Sequence, residues 1–323
     1  AVAYPGQCNR HCPDMGVTSA QSRSLAALGC SRDVWGILCT IVMYSSTVTI
    51  SLAVNWFALP ELPYWLPMAF LYNCIVLLLL WSHLQCMCTN PGIAKDFLDQ
   101  ELQQQMREEF LRLRAAGLSE DAAAHCPDSV KVCGALPRKW WCVQCDTFRP
   151  KRAHHCKTCR ACVLKMDHHC PWVNNCVGGR NHKFFILFIG YAWLGCVCSV
   201  AILTNALLQI NEETAWKAQF WVPANSRFTL RSCVAAQFLC LAAAALSFVF
   251  TIFASVMGCD QWTFLYEGHG VVDQKLHKMG AQHTPSFQRS VSNHLAEVLG
   301  GGESLSFWWF LPCAKPSQSS RQL

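Results

Sequence analysis

Apolar positions in this chain do not alternate with polar ones in four places; they run on unbroken. The runs are Val34 to Ala58, Tyr64 to Leu84, Phe184 to Leu208 and Cys233 to Met257, and none contains Asp, Glu, Lys or Arg. A helix needs about 20 apolar residues to cross a bilayer, so each run reads as a transmembrane helix. Four of them in one chain weigh against buried helices of a soluble protein. After the second run, TNPG (Thr89 to Gly92) supplies the Pro and Gly that stop a helix as it leaves the membrane. The pattern then becomes amphipathic. Leu98, Leu102, Met106, Phe110 and Leu113 follow helical spacing, which predicts one helix over Asp96 to Ala116, closed by Gly117. Packing on its own neighbouring domain is the expectation for that helix, ahead of lying on the membrane or holding a partner.

The predicted organisation is a tail (1–33), two membrane helices (34–88), a linker with the amphipathic helix (89–138), a cysteine-rich domain (139–183), two more membrane helices (184–257) and a polar tail (258–323). The first tail holds the cluster CNRHC at Cys8 to Cys12, which by itself is a weak metal signal. The last tail holds one aromatic knot, FWWFLP at Phe307 to Pro312, suited to dock on either the membrane or the helix bundle. The fold class is therefore membrane all-α, with four transmembrane helices and a small cysteine-rich domain of hairpins and loops between helices 2 and 3.

Composition agrees: 52% of residues are apolar and 14% are charged. Charge sets the orientation. Of the 26 Lys and Arg, fifteen lie between the second and third runs, none in the hairpin LPELP and three in the loop from Gln209 to Ser232. Cationic loops stay in the cytosol, so the middle loop is expected there, and with four spans both termini share that side. Residues 1–33 are mixed and polar, and no cleavable leader is expected from them. The net charge of +6 favours anionic lipid or a phosphorylated ligand. No nucleic-acid-binding pattern is present.

The chain has 22 cysteines, nine of them between Cys126 and Cys176. On a reducing side of the membrane these point to metal or thiol chemistry rather than disulfides. From Cys142 the spacing is C-x2-C-x9-H-C-x2-C-x2-C-x4-D-H-H-C-x5-C. Two C-x2-C knuckles, Cys142/Cys145 and Cys156/Cys159, each need two further ligands to close a zinc tetrahedron. The candidates are His154, His155, Cys162, His168, His169, Cys170 and Cys176, and spacing alone does not pair them. Few aliphatic residues are present, so metal would replace the missing core. Six cysteines and two histidines close two sites and leave other groups free. In Asp167-His168-His169-Cys170, a thiol beside an imidazole oriented by a carboxylate is an activated nucleophile. Sequence nearness does not guarantee their contact, because neighbours on a strand point apart; a tight turn would bring residues 168 and 170 to one side.

These residues resemble the DHHC-family protein S-acyltransferases. The likeness covers the cysteine-rich segment, the DHHC tetrad, the continuation through Cys170-Pro171-Trp172, Asn181 and Phe185, and the placement of the domain between helices 2 and 3. The resemblance implies two structural zinc ions, one held by Cys142, Cys145, His155 and Cys162, the other by Cys156, Cys159, His169 and Cys176. It implies Cys170 as nucleophile, His168 as its base and Asp167 as the group fixing the tautomer. His154 is not a ligand in this scheme. The implied reaction moves a long-chain acyl group, typically palmitoyl, from acyl-CoA to cysteines of protein substrates near the membrane. Trp172, Phe185 and Phe188 would wall the acyl chain, though interfacial aromatics are common in their own right. Arg149 and Arg152 would clamp the CoA phosphates. Endomembranes, Golgi or ER, are the family's usual address. Small residues Gly190 and Gly195 in the third helix would leave room for longer chains.

Two departures stand out. Asn90-Pro91-Gly92 replaces the family's Asp-Pro-Gly, and no Thr-Thr-x-Glu follows the fourth helix, where the chain reads CDQWTFLYEGHG. Two competing functions remain. A zinc scaffold would not require Asp167-His168-x-Cys170. A zinc transporter would need acidic ligands at bilayer depth, and His83 is the one histidine in the four runs.

Overall fold

A computed structural model of the chain describes residues 33–62, 64–124, 140–150, 152–217, 234–267, 298–299 and 309–313. The CNRHC cluster, residues 218–233 and most of the polar tail lie outside these. Helix α1 (Val34–Leu52) starts at Asp33, whose side chain accepts from the Trp35 amide, and it continues through a π-turn (Ala53–Ala58) and a 3-10 turn (Leu59–Glu61). Helix α2 spans Trp65–Cys88. Helices α3 (Ala94–Phe97), α4 (Gln100–Ala115) and α5 (Glu120–Ala124) follow. Three antiparallel hairpins come next: β1 (Trp141–Cys142) with β2 (Thr147–Phe148), β3 (His154–Cys156) with β4 (Ala161–Val163), and β5 (His168–Cys170) with β6 (Asn175–Val177). Helices α6 (His182–Lys217) and α7 (Val234–Glu267) complete the described chain apart from short tail pieces.

Among the described residues, four helices are long and apolar enough to span a bilayer: Val34–Ala58, Trp65–Cys88, His182–Leu208 and Ala236–Tyr266. The chain is a multi-pass membrane protein with the cysteine-rich segment between the second and third spans. Large side chains such as Trp35, Phe70, Phe238 and Ile252 face outward, where lipid replaces water. Inside, small residues such as Ala53, Ala58, Ala206 and Ala243 allow close helix packing. The Tyr72 hydroxyl meets Ser199 Oγ at 3.1 Å, joining α2 to α6.

The fourth span does not stop at Met257, where its unbroken apolar run ends. Helix α7 continues to Glu267, and Gln261 in this extension is buried. The amphipathic helix also differs from the prediction. It breaks at Leu98–Asp99, because Asp99 caps α4 by accepting from the amides of Glu101 and Leu102. Its packing is as expected: Phe110 stacks on Trp141 with centroids 5.2 Å apart and shares a cluster with Leu98, Trp140, Phe148 and Leu164.

The cysteine-rich segment is held against the end of α2 by side-chain amides. Asn175 Nδ2 donates to the carbonyls of Cys86, Met87 and Thr89, and Asn181 Nδ2 donates to those of Cys86 and Cys176. The last carbonyls of a helix lack intrahelical partners, and these two amides supply them. Asn90 keeps the turn chemistry of the family's aspartate: its Oδ1 accepts from the amides of Gly92 and Ile93, each at 2.9 Å. Its extra amide donates to Asp96 at 2.7 Å, a bond no aspartate would make with that carboxylate. Gly36 lets α1 approach the DHHC hairpin, since a Cβ there would lie 2.1 Å from Asn174 Oδ1. The part of the aromatic knot within the described residues docks on the helix bundle. Trp309 is buried, Tyr191 donates to the Phe310 carbonyl, and Lys183 Nζ donates to the Cys313 carbonyl at 3.4 Å.

Candidate metal centres and thiol site

Each hairpin sets ligands by its register. In β3–β4, His155 lies opposite Cys162; in β5–β6, His169 lies opposite Cys176. Opposed residues on an antiparallel ladder project to the same face, so each pair meets at one point. The two C-x2-C knuckles complete the sets. Each ends in a residue of positive φ, Asp146 (48°) after Cys145 and Arg160 (53°) after Cys159, which curls the turn so that both thiols converge. The Cys159 amide donates to Cys156 Sγ at 3.3 Å, closing the second knuckle.

The outcome is two clusters, Cys142–Cys145–His155–Cys162 and Cys156–Cys159–His169–Cys176, with the ligand atoms in each within 4.8 Å of one another. A zinc tetrahedron with Zn–S of about 2.3 Å and Zn–N of about 2.0 Å has edges of about 3.5–3.8 Å. The edges seen straddle that range. His155 Nδ1 stands 3.6, 3.1 and 4.0 Å from the thiols of Cys142, Cys145 and Cys162. His169 Nδ1 stands 3.3 and 3.7 Å from those of Cys159 and Cys176, which are 3.4 Å apart. Crowding gives the thiols unequal affinities for protons. Cys142 is driven down to about 4, chiefly by its hydrogen bond with Cys162, while Cys162 is driven up by the same bond and by burial. A cation resolves that conflict, and both clusters fit zinc. His169 also has an outer partner, with Nε2 3.5 Å from Asp33 Oδ2. A carboxylate behind a ligating histidine is a common orienting device. His154 belongs to neither cluster.

His168–Cys170 of the DHHC tetrad form strand β5 and not a tight turn. Side chains alternate along β5, so His168 and Cys170 share one face while His169 turns to the other, toward the second cluster. The two adjacent histidines are separated by geometry alone. Asp167 is fully buried and its Oδ2 accepts from His168 Nδ1 at 2.8 Å. His168 Nε2 is buried without a hydrogen-bond partner. Burial opposes the imidazolium of His168, but the hydrogen bond to Asp167 and the nearby Cys170 thiol outweigh it and raise the group to about 9. The Phe185 ring packs edge-on to His168 at 5.1 Å. Cys170 is buried in one cluster with Phe185, Phe188 and Val173, with Trp172 packed against it. Trp172 in turn meets Phe250 and Phe253 of α7, at 6.1 and 5.4 Å.

Three buried polar groups at this site carry no motif that sequence reading could use. His83 joins Tyr44 (3.0 Å from Nδ1) to the Trp172 carbonyl (2.9 Å from Nε2). Gln261 of α7 donates from Nε2 to Asp167 Oδ2 at 3.1 Å, and its Oε1 lies 2.6 Å from His182 Nε2. Only His83 left a trace, as a lone histidine in an apolar run. Thr263, the one threonine of the CDQWTFLYEGHG segment, bonds back to the Cys259 carbonyl of its own helix. The two arginines are partly engaged. Arg149 donates from Nε and Nη2 to the Ala153 carbonyl, at 3.2 and 3.0 Å, and the Arg152 guanidinium lies 5.7 Å from the Phe264 ring centroid.

Residues 136–274 match the DHHC palmitoyltransferase family. Among curated proteins, the chain is 35% identical over 140 residues to "Probable protein S-acyltransferase 12" of Arabidopsis thaliana, covering 43% of this chain and 42% of that protein. It is 36% identical over 155 residues to "Palmitoyltransferase ZDHHC20" of Homo sapiens, covering 47% and 42%. It is 35% identical over 170 residues to "Palmitoyltransferase ZDHHC7" of Mus musculus, covering 51% and 47%. The chain spans less than half the length of these curated relatives.

Proposed function

We propose that the chain is a protein S-acyltransferase of the DHHC palmitoyltransferase family, which residues 136–274 match, and that it works through an acyl-Cys170 intermediate. One observation carries the reading. Among the described thiols from Cys142 to Cys176, Cys170 alone stands outside both four-ligand clusters, on the strand face it shares with His168.

His168 Nε2, facing away from Asp167, takes the Cys170 proton. Asp167 holds Nδ1–H and offsets the imidazolium charge. The thiolate attacks the thioester carbonyl of acyl-CoA; the new C–S bond forms as the bond to CoA breaks, and CoA leaves with the proton from His168. In the second step a cysteine of a protein substrate gives its proton to His168 and takes the acyl group, which frees Cys170. One thioester replaces another at each step, so no energy source is required. Zinc, when bound, supplies folding energy to hairpins too short to fold on apolar contacts alone; the eight ligands have no place in the transfer itself.

The apolar surroundings of Cys170 favour a long chain. Each methylene moved out of water contributes about 0.8 kcal/mol, and Trp172, Phe185 and Phe188, which pack in or against the cluster holding Cys170, would receive them. Arg152, with the free edge of Arg149, would meet the CoA phosphates. Substrates are proteins with cysteines close to the cytosolic membrane face. The Lys and Arg bias supports cytosolic placement of the zinc-binding segment and both termini, and an endomembrane, Golgi or ER, is the proposed site of action. The test is CoA release from palmitoyl-CoA by the purified chain in lipid. Wild type releases CoA and Cys170→Ser does not; absence of release from a zinc-loaded wild type would leave a binding scaffold as the better description.

A further inference from the structure

We propose that Gln261 is a positioning residue for the thiol site, fixing Asp167 and, through it, His168. This rests on the acyl-transfer reading. The geometry is directional at every link. A carboxylate only accepts, so the Gln261 atom facing Asp167 Oδ2 at 3.1 Å is the amide nitrogen. The Gln261 carbonyl oxygen then faces His182 Nε2 at 2.6 Å, and His182 is the donor there. His182 on α6 thus locks the amide, the amide holds the carboxylate, and the carboxylate holds His168 Nδ1 at 2.8 Å. Asp167, His182 and Gln261 are all buried. A carboxylate without access to water needs its donors, and Gln261 is one supplied from 94 residues away in sequence.

The same stretch of α7 is seated firmly. Phe264, close to one turn beyond Gln261, packs on the His182 ring with centroids 4.3 Å apart, and the Arg152 guanidinium lies 5.7 Å from the Phe264 ring centroid. The extension of α7 past its apolar run therefore ends in a polar contact aimed at the tetrad. Gln261 lies within CDQWTFLYEGHG, the segment with no Thr-Thr-x-Glu.

The experiment uses the full zinc-loaded chain in lipid, with two readouts on wild type, Gln261→Met and His182→Leu. The first is the rate of Cys170 acylation at saturating palmitoyl-CoA, with KM determined alongside. The second is alkylation of Cys170 by iodoacetamide, read by peptide mass spectrometry, which requires no acyl transfer. Methionine matches glutamine in length but offers no donor. Gln261→Met is expected to slow both reactions about 10-fold or more with KM and zinc content unchanged, and His182→Leu to slow them less. In an Asp167→Asn background, Gln261→Met is expected to change nothing further, because both act through one contact. Wild-type rates in Gln261→Met, or the same fractional loss in both backgrounds, would overturn the proposal. If the wild type alkylates but is not acylated, the acyl-transfer reading fails on its own. The alkylation rates then still decide whether Gln261 tunes the thiol.

Discussion

His169 and Cys176 stand directly opposite one another across the β5–β6 ladder, one residue away from Cys170. A metal bound by that pair therefore fixes the strand that carries the thiol. Purified chain is expected to hold two zinc ions by elemental analysis. Cys176→Ala is expected to retain at most one and to lose acylation, since β5 then has no anchor. Chelation of the wild type is expected to lower its thermal midpoint, because metal binding and folding are one equilibrium here. Full zinc occupancy in Cys176→Ala would contradict the ligand set.

Gly36 of α1 packs against the Asn174 side chain of the DHHC hairpin, where an added Cβ would lie 2.1 Å from Asn174 Oδ1, and Asn174 holds a φ of 45°. Gly36→Val forces these elements apart. A cost of about 1–3 kcal/mol is expected, as for other overpacked sites, measured as a fall in thermal midpoint. An unchanged midpoint would mean that α1 does not rest on the hairpin as described.

Gly195 is buried, and a Cβ there would sit 3.6 Å from Ile75 Cγ2; Gly190 is exposed, with nothing within 4 Å of an added Cβ. The room once assigned to both glycines thus faces the bundle only at Gly195. Seven residues beyond Phe188, it lies about 10 Å further along α6. Gly195→Leu is expected to shift acyl-CoA preference toward shorter chains in a competition of C14, C16 and C18 donors, whereas Gly190→Leu leaves it alone. If Gly195→Leu leaves the preference unchanged, the idea is dropped.

Arg149 and Arg152 are separable. Arg149 spends two donors on the Ala153 carbonyl, so Arg149→Gln is expected to destabilise the loop between the knuckles. Arg152→Gln removes a cation without that loss. Its expected signature is a raised KM for palmitoyl-CoA with little change in maximal rate, the mark of lost substrate binding. A fall in maximal rate at constant KM would speak against a phosphate contact.

Much of the fold was legible because the bilayer imposes a simple rule. Val34 to Ala58 reads as a span from hydropathy alone, and in the structure it is a helix long and apolar enough to cross a bilayer. The two zinc-ligand clusters were legible only in part: spacing located the knuckles, and the ladder register that joins His155 to Cys162 is not written in any spacing. The break at Leu98 was hidden because leucine periodicity runs through it, while the capping carboxylate of Asp99 decides the matter locally. The extension of α7 was hidden for the opposite reason. Asp260 and Gln261 end the apolar run, yet Gln261 is buried against Asp167 and polar burial leaves no periodic mark. His168 and Cys170 share a face by strand alternation, which follows from sequence once the strand itself is known.

The most direct test is the position of the acyl group. Purified chain is incubated with an alkyne-bearing palmitoyl-CoA analogue, wild type beside Cys170→Ser, and the label is mapped by mass spectrometry before and after hydroxylamine. A hydroxylamine-labile label on Cys170, absent from Cys170→Ser with zinc content intact, is the predicted result. Equal labelling of the two proteins, or no label on a zinc-loaded wild type, would contradict the account.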